Sequence, residues 1–401
     1  MRTLRLREHA TSFGVALSPD EVDELRRTVS SVDVQPTPGL RHRFDVRPGA
    51  TVGIVRLGDL SVEIQPKLPI RRLLFLLSYL VDPKGWRPDE TEVDEGADLF
   101  EAVIPAFAFQ VYRALRRGVL QGYRTEEDAL SVVRGRVRFD DQIRRRYGRT
   151  PPVEVRYDEF TEDIEANRLI KAATRRLLRL RPRSLASRRS LAGIEVAFAA
   201  VSDVTYRARD LQEIPYNRLN AHYRPAVELA RLILRATSLE VGHGAVRGMA
   251  CLFDMNVVFE DFVVVALREQ LRLSTHTFPQ GASGHRLCLD NDRRIRLEPD
   301  ISWWEGERAV FVGDVKYKRT ADALGRNADI YQAMAYAIAA DLPGALLIYA
   351  AGEREQGVHR IIHLDKVIEV VTMDLNARPE VVLGLVQAIA ERIRALQSAQ
   401  G

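Results

Sequence analysis

The N-terminal part of the chain, up to about residue 67, alternates apolar and polar positions as half-buried β-strands do. The alternation predicts four strands, Thr3–Arg7, Arg43–Arg47, Thr51–Leu57 and Leu60–Gln65. A Gly58-Asp59 pair between the last two predicts a hairpin turn. Ser18 followed by Pro19 predicts the start of one helix within this region. We therefore expect a β-rich N-terminal domain over residues 1–95.

The middle of the chain changes to the apolar spacing of amphipathic helices. This spacing predicts three helices, Ala97–Arg117, Glu162–Arg181 and Tyr223–Ala236. One short strand, Val153–Tyr157, is predicted between them. The glycine-bearing stretch Gly242–Gly248 is the best candidate for a domain boundary. We therefore expect a mainly helical domain over 96–241 and a further domain over 242–401.

The last part of the chain alternates helix and strand. Its pattern predicts a helix over Asp254–Arg272, strands over Arg294–Trp304 and Arg308–Tyr317, a second helix over Asn327–Ala340 and a strand over Ala345–Ala350. The order helix, hairpin, helix, strand indicates an α/β sheet whose second helix forms a right-handed crossover. The predicted fold class is α+β multidomain, with a β-rich N-terminal region, a helical middle region and a C-terminal α/β core.

Composition narrows the possible functions only slightly. The 401 residues carry a formal net charge of +4, which permits nucleic-acid binding without requiring it. The two cysteines, Cys251 and Cys288, form no CxxC pair, so we expect no structural zinc site and a reducing cytoplasm. The N-terminus lacks the apolar core of a signal peptide, and the run Leu73–Val81 is too short to cross a membrane.

The residues that carry chemistry lie on the predicted hairpin of the last part. Asp314 and Lys316 are two apart on one strand, so their side chains share a face. If the hairpin turns around Gly306, Asp300 lies roughly opposite Val312 and diagonal to Asp314. Two carboxylates and an ammonium group then converge, as required to hold Mg²⁺ and to orient a water for phosphodiester hydrolysis. The alternative is a surface hairpin with exchangeable charges, which the apolar flanking residues disfavour.

Two predicted helices add further candidates. Glu260 lies in the apolar run Val257–Val264 and is a candidate third metal ligand. Gln332 and Tyr336 are four apart and share a helix face, where Gln332 could contact the scissile phosphate or the lysine. Lys318 continues the face of Lys316 and could contact the DNA backbone. Tyr336 is a further candidate for contacting DNA. An ordinary surface position is the alternative for Glu260, Gln332 and Lys318.

These motifs resemble a known family. The order Glu260, Pro299-Asp300, Asp314-Val315-Lys316 and Gln332 resembles the PD-(D/E)xK nuclease core. More narrowly, the chain resembles the McrC family, the nuclease subunits of a modification-dependent restriction system. Further landmarks of that family occur upstream in the expected order, at Ile64-Gln65-Pro66-Lys67, Arg134-Gly135-Arg136-Val137 and Asn167-Arg168-Leu169-Ile170-Lys171.

The resemblance implies a magnesium-dependent endonuclease that cleaves double-stranded DNA, methylated by expectation. It also implies a partner, a McrB-like AAA+ GTPase ring, which the N-terminal half of the chain contacts and stimulates. On this basis Lys67, Arg134 and Arg136 are candidates for docking the partner. The chain has no GxxxxGK[ST] loop, so we expect nucleotide binding to belong to the partner.

Alternatives to this interpretation stay open. The chain could be a non-catalytic adaptor that activates an AAA+ motor, or a stand-alone DNA repair nuclease. The arginine-rich run from Arg134 to Arg149 either contacts phosphates or an acidic partner, or is a solvated surface.

Overall fold

The computed structural model describes residues 2–83, 99–207, 210–239, 248–281, 285–320, 327–352 and 356–398. It has the mixed α+β architecture that the sequence predicts, with several small sheets and helices packed on them. The chain forms two compact units. The first consists of Met1–Ala102 and Leu239–Gly401, and the second of Val103–Ser238. Each unit is described by itself.

The N-terminal part of the first unit is β-rich, as predicted. Its strands are β1 (Arg2–Arg7), β2 (Ser12–Ala16), β3 (Asp33–Pro36), β4 (Arg43–Arg47), β5 (Thr51–Leu57) and β6 (Leu60–Gln65), and its helices are α1 (Pro19–Thr28) and α2 (Ile70–Val81). Ser18 begins α1 with a capping box, in which its hydroxyl accepts from the Glu21 amide and Glu21 accepts from the Ser18 amide. Leu25 of α1 packs in a buried cluster with Val55 and Val62.

The second unit contains more β-structure than the sequence predicts. Its elements are most of α3 (Leu99–Leu115), β7 (Gly122–Leu130), β8 (Arg136–Val137), α4 (Phe139–Arg146), β9 (Val153–Thr161), α5 (Glu165–Arg179), α6 (Leu185–Ala197) and α7 (Arg224–Ala236). A three-stranded antiparallel sheet has the order β7-β9-β8. Only part of β9 was predicted. β7 escapes a hydrophobicity pattern because its residues are exposed or half-exposed along its whole length.

The chain passes from the second unit to the first through β10 (Thr237–Leu239), and β11 (Gly248–Asp254) follows. β11 pairs antiparallel with β5, from Gly248 opposite Leu57 to Asp254 opposite Thr51, in the strand order β1-β6-β5-β11. The predicted boundary residues 242–247 and most of the polar stretch 83–95 lie outside the described residues. The division into domains 1–95, 96–241 and 242–401 stays a prediction.

The C-terminal part of the first unit contains a second five-stranded sheet. Its elements are α8 (Met255–Leu271), β12 (Leu287–Cys288), β13 (Arg296–Leu297), β14 (Ile301–Glu305), β15 (Arg308–Thr320), α9 (Asn327–Ala339), β16 (Gly344–Gly352), β17 (Gln356–Ile361), β18 (Lys366–Thr372) and α10 (Pro379–Ser398). The strand order is β14-β15-β16-β18-β17, with β15, β16 and β18 parallel. The predicted succession of helix, hairpin, helix and strand is confirmed, but the predicted strand Arg294–Trp304 is divided into β13 and β14, which belong to different sheets.

The two faces of this sheet have different neighbours. Val312 of β15 packs in a buried cluster with Ala333 and Tyr336 of α9. Tyr317, an odd position on the same strand, contacts Phe259 of α8. Between Val312 and Tyr317, even positions of β15 therefore face α9 and odd positions face α8. In the part of the chain that the structure describes, no helix has both the length and the apolar character that a membrane crossing requires.

Candidate functional site

The two aspartates of the predicted site are brought together by the pairing of β14 with β15. Ile301 pairs with Gly313, and the register shifts by a bulge between Trp303 and Trp304. The predicted position of Asp300 opposite Val312 is therefore wrong. The turn, which pairs Glu305 with Arg308, and the bulge each shift the register by one residue and bring Asp300 level with Asp314. The Val315 amide donates a 2.8 Å hydrogen bond to Oδ2 of Asp300, which fixes that carboxylate beside β15.

Lys316 completes the cluster. Its Nζ lies 3.5 Å from Oδ2 of Asp300 and also forms an ion pair with Asp314. The prediction that Asp314 and Lys316 share a strand face is confirmed. The Asp314 side chain is fully buried, whereas those of Asp300 and Lys316 are 20% and 19% exposed. The cluster therefore opens to solvent through Asp300 and Lys316, and Asp314 forms its floor.

The electrostatics follow from this burial. Burial raises the pKa of Asp314 to about 7, with the neighbouring Asp300 acting in the same direction and Lys316 against it. Burial opposes the charge of Lys316, but Asp314 and Asp300 outweigh it and raise the pKa of the ammonium. Lys316 therefore carries a positive charge, and the buried Asp314 carboxylate is the group that a bound cation would stabilise most.

The donor set fits a hard divalent cation in part. Among the described residues, Lys316 is the cation that pairs with the buried Asp314 carboxylate and compensates its charge. Mg²⁺ commonly takes one or two carboxylates and keeps several waters. Among the described residues, however, no three His, Cys, Asp or Glu side chains lie close enough together to hold a metal ion. Asp300 and Asp314 form the core of the candidate site.

Glu260, the third predicted ligand, is the outlying member. It lies on α8, where its Oε1 is 3.3 Å from Nε2 of Gln280. Burial and the neighbouring Asp300 raise its pKa, so it is within electrostatic range of the pair. Gln280 in turn bridges to Ile301, the residue after Asp300. Glu260 thus borders the site, and its role as a ligand stays a prediction.

The two candidates on α9 are bonded to one another. Nε2 of Gln332 donates to Oη of Tyr336 at 2.7 Å, and Tyr336 donates to the Glu298 carbonyl at 3.0 Å. Gln332 therefore contacts Tyr336 in this structure, with no bond to Lys316. Tyr336 is buried and holds the segment that leads into Asp300, whereas Gln332 is exposed and free to meet a substrate phosphate.

The sequence analysis missed Asp329. This buried carboxylate accepts a 2.7 Å hydrogen bond from Oη of Tyr349 and lies 3.3 Å from Nζ of Lys318. Lys318, predicted to meet DNA, is thus held on the α9 side of β15 beside Lys316. Asp329 precedes Gln332 by three positions and Tyr336 by seven, a helical spacing that could have identified it.

The docking candidate Lys67 contacts residues of the first unit. Its ammonium lies 3.5 Å from Oε1 of buried Glu8 and 4.8 Å from the ring centre of Tyr317. Oη of Tyr317 is 3.3 Å from Oε2 of the same glutamate. Tyr317 follows Lys316 but faces the other side of β15. Lys67 therefore joins the N-terminal sheet to the strand that carries the site.

The Arg134-Gly135-Arg136-Val137 motif has a structural explanation in the second unit. Gly135 has φ +73°, and a Cβ there would lie 2.3 Å from the Arg156 carbonyl, so another residue would be strained. The Arg134 guanidinium lies 4.1 Å from the Tyr157 ring centre and 3.8 Å from Glu159. Arg136 is exposed and stays available to a partner.

The rest of the arginine-rich run is largely paired within the unit. Arg138 lies 2.7 Å from Glu127 and also pairs with Asp141, and Arg146 lies 2.9 Å from Glu154. These ion pairs neutralise arginines of the run within the unit. They favour a solvated surface over a continuous phosphate-binding surface.

The Asn167–Lys171 motif also has a structural role. Arg168 makes two bonds of 2.7 and 2.8 Å to Asp163, which also accepts from the Ser202 amide and pairs with Arg124. Asn167 donates to the carbonyls of Leu120 and Glu162. The motif therefore joins α5 to β7 and to the segment after α6.

Comparisons with known proteins agree with these motifs. The family model for the McrBC 5-methylcytosine restriction system component matches residues 46–350. No curated protein gives a significant match. A half-complex of Thermococcus gammatolerans McrB AAA+ hexamers with bound McrC contains a chain with TM-score 0.56 and 16% identity, covering 98% of this chain and 100% of that one.

A cryo-EM structure of the Thermococcus gammatolerans McrBC complex is also similar, with TM-score 0.44 and 20% identity over 67% of this chain and 88% of that one. At such identities the similarity to the half-complex is one of fold. The family model, in contrast, spans well over half of the chain. The chain therefore belongs to the family of McrBC 5-methylcytosine restriction system components.

Proposed function

We propose that this chain is an McrC-like endonuclease subunit that hydrolyses phosphodiester bonds in DNA at Asp300, Asp314 and Lys316. The observation that carries the proposal is the fully buried Asp314 carboxylate, which pairs with Lys316 and lies beside a second carboxylate, Asp300. A buried charge is costly unless a counter-charge or a ligand compensates it. A salt bridge with a purely structural role needs only one carboxylate, so it would not explain why Asp300 also lies beside Lys316.

The order of elements supports a PD-(D/E)xK nuclease core. α8 carries Glu260, β14 follows Asp300, β15 carries Asp314 and Lys316, and α9 crosses to the parallel strand β16. Asp314 and Lys316 thus share the α9 face of β15, Asp300 precedes the edge strand β14, and Glu260 borders them from α8.

Asp300 and Asp314 would hold Mg²⁺, with Glu260 as a possible addition at the rim. When bound, the ion would lower the pKa of an attacking water and neutralise charge on the phosphate. Lys316 would orient the water or stabilise the developing oxyanion. Gln332, exposed beside Tyr336, would contact a phosphate oxygen. Binding of the ion requires Lys316 to give up part of its contact with the aspartates.

The proposed partner is a McrB-like AAA+ GTPase ring, and the proposed substrate is methylated double-stranded DNA. Family membership and the fold shared with McrC from a McrB complex support this assignment. The second unit offers a surface for such a partner, because Tyr123 and Phe160 are 77% and 57% exposed and their rings lie 5.1 Å apart. Exposed paired aromatic residues are typical of protein–protein contacts.

The test is a cleavage assay on methylated plasmid DNA with the ring partner, GTP and Mg²⁺. Wild type should cut, whereas Asp314→Asn should not. Asp59→Asn, a change of the same chemistry in the exposed β5–β6 turn, is the matched control and should cut normally. If wild type stimulates the GTPase of the ring but never cuts, the adaptor alternative replaces the nuclease assignment.

A further inference from the structure

We propose that the hairpin formed by β12 and β13, residues 285–298 and here named the arginine hairpin, binds the DNA backbone beside the cleavage site. The inference rests on the proposed nuclease function and extends it by naming the surface that holds the substrate. Four observations carry it: where the hairpin is anchored, which charges it exposes, how its own acids are occupied, and how rigid it is.

The arginine hairpin is anchored at the candidate site. At its C-terminal end, the Glu298 carbonyl accepts the 3.0 Å hydrogen bond from Tyr336, two residues before Asp300. On the N-terminal side, Gln280 bridges to Ile301 and contacts Glu260. Leu287 and Leu297 pair across the hairpin. The C-terminal end of the segment is therefore held by Tyr336, which also bonds to Gln332 of the candidate site.

The exposed charges of the arginine hairpin are mainly guanidinium groups. Four arginines project from it and are exposed: Arg286, Arg293, Arg294 and Arg296. Arg294 lies 3.5 Å from the exposed Asp292. Within the described ranges, no carboxylate lies within ion-pair distance of the other three. A guanidinium group matches the geometry of a phosphate and is only weakly hydrated, so this surface suits a polyanion.

Acidic residues of the hairpin are partly engaged in contacts within the hairpin itself. The Asp290 carboxylate accepts hydrogen bonds from the backbone amides of Ile295 at 2.7 Å and Arg294 at 3.2 Å, which closes the turn. Arg308 lies across a cavity of about 870 Å³, whose wall includes Arg286, Arg293, Asp290 and Glu307. The cavity is therefore open, polar and bordered by three arginines.

The base of the hairpin is rigid. The His285 ring stacks on Trp304 with centroids 4.3 Å apart and planes 10° apart. The Trp304 indole in turn donates to Oγ of Ser302 at 2.8 Å. A surface that is already ordered loses little conformational entropy when a ligand binds.

The reach of the chain sets the position of these contacts on DNA. Arg296 is four residues from Asp300, so its Cα lies at most about 14 Å away. Successive phosphates of one strand advance by about 3.4 Å along the duplex axis, so this distance corresponds to about four nucleotides. Arg296 therefore lies where it would contact the backbone close to the scissile bond. Arg286 and Arg293 line the cavity beside the Glu307–Arg308 end of the β14–β15 hairpin, where they would contact the backbone farther from that bond.

The experiment measures binding of the full chain to a fluorescently labelled DNA duplex by anisotropy over a salt series. All proteins carry Asp314→Asn, so that cleavage does not interfere. The test variant combines Arg286→Ser, Arg293→Ser and Arg296→Ser. The control combines Arg41→Ser, Arg360→Ser and Arg378→Ser, which remove the same charge from exposed positions elsewhere in the first unit.

The test variant should bind at least roughly tenfold more weakly, with a salt slope reduced by about 0.9 for each phosphate that the protein no longer neutralises. Arg296→Lys, which keeps the charge, should retain most of the affinity. Equal affinity of the test and control variants, whether both are weakened or both unchanged, would overturn the proposal. So would a test variant that binds DNA normally but no longer stimulates the ring, because the hairpin would then contact protein.

A different result would show that the proposed nuclease function is wrong. If the protein with Asp314 intact never cuts DNA with the ring and Mg²⁺, the nuclease assignment is wrong even when the arginine hairpin binds DNA. If it cuts and the test variant binds DNA as well as the control does, only the hairpin inference is wrong. Equal melting temperatures of test and control variants show that a loss of binding is not a loss of fold.

Discussion

The backbone amide of Val315 donates a 2.8 Å hydrogen bond to Oδ2 of Asp300, and this bond joins two separate parts of the candidate site. Asp300 precedes β14, whereas Val315 lies between Asp314 and Lys316 on β15. The amide of one strand thereby positions the carboxylate that comes from the other. The following predictions test what this arrangement does and what stabilises it.

Substitutions of Lys316 and of Asp314 should have different effects on cleavage and on Mg²⁺ binding. Lys316→Ala should lose cleavage but keep Mg²⁺ binding, because an ammonium group is not a metal ligand, whereas Asp314→Ala should lose both. Lys316→Arg should rescue cleavage poorly, since a planar fork cannot replace a compact point charge. Calorimetric titration with Mg²⁺ separates the two. The assigned role of Lys316 is wrong if its alanine variant loses as much metal affinity as Asp314→Ala.

Asp314 should make the metal-free protein less stable as the pH rises. Its pKa of about 7 in the folded state lies above the ordinary value of 3.8. The stabilising contribution of its protonated form is therefore fully present below about pH 4 and is lost as the pH rises through about 7. The Asp314→Asn variant has no carboxyl group to ionise at this position, so it does not lose this contribution to stability.

The melting temperature of Asp314→Asn, relative to wild type in a chelator, should increase between about pH 4 and pH 8. Asp59→Asn in the exposed turn serves as the control and should show a constant difference. A difference that stays flat for Asp314→Asn would mean that the carboxylate is already ionised and well compensated without a metal ion.

The stability of the second unit should depend on Asp163. Arg168, Ser202 and Arg124 hold this carboxylate, and the bonds from Arg168 are the first cause of its strongly lowered pKa. Asp163→Asn leaves the buried side of these arginines without a counter-charge, so we expect a loss of about 3 kcal/mol or more in the free energy of unfolding. Urea denaturation measures it.

The matched control is Asp158→Asn, in which an exposed aspartate on β9 bonds only to the hydroxyl of Thr125 among the described residues. It should cost well under half as much as the Asp163 variant. Because a lowered pKa stabilises above the unfolded value, the advantage of wild type over Asp163→Asn should persist at neutral pH and shrink only in acid. Equal losses for the two variants would contradict a structural role for the motif.

Truncation should damage the N-terminal sheet. A fragment that ends at residue 241 lacks β11, which pairs with β5 along its whole length, and α8, which packs on α2 through Phe262 and Phe75. The edge of β5 and the apolar face of α2 would then be exposed to water. The fragment should bind a hydrophobic dye and aggregate, as light scattering would show. A monomeric fragment with cooperative unfolding would mean that the N-terminal part folds without the C-terminal part.

Short-range patterns predicted much of the fold. The helix start at Ser18 and the helix–hairpin–helix–strand order depend on residues a few positions apart, whose preferences are readable locally. β7 was missed because its side chains alternate between exposed and half-exposed, which gives no apolar face to detect. Asp329 was missed because its three-residue spacing from Gln332 is a weak signal on its own, and its contacts with Lys318 and Tyr349 depend on the fold.

The sequence by itself determined that Asp314 and Lys316 share a face, because strand geometry alternates side chains whatever surrounds the strand. The sequence also predicted that Asp300 and Asp314 converge, but only the tertiary structure decided that they lie level with each other rather than diagonal, because the turn and the bulge at Trp303 and Trp304 each shift the pairing by one residue. It also decided that Glu8 meets Tyr317, 309 positions later in the chain. Contacts of that separation depend on how whole sheets pack, and no local preference encodes them.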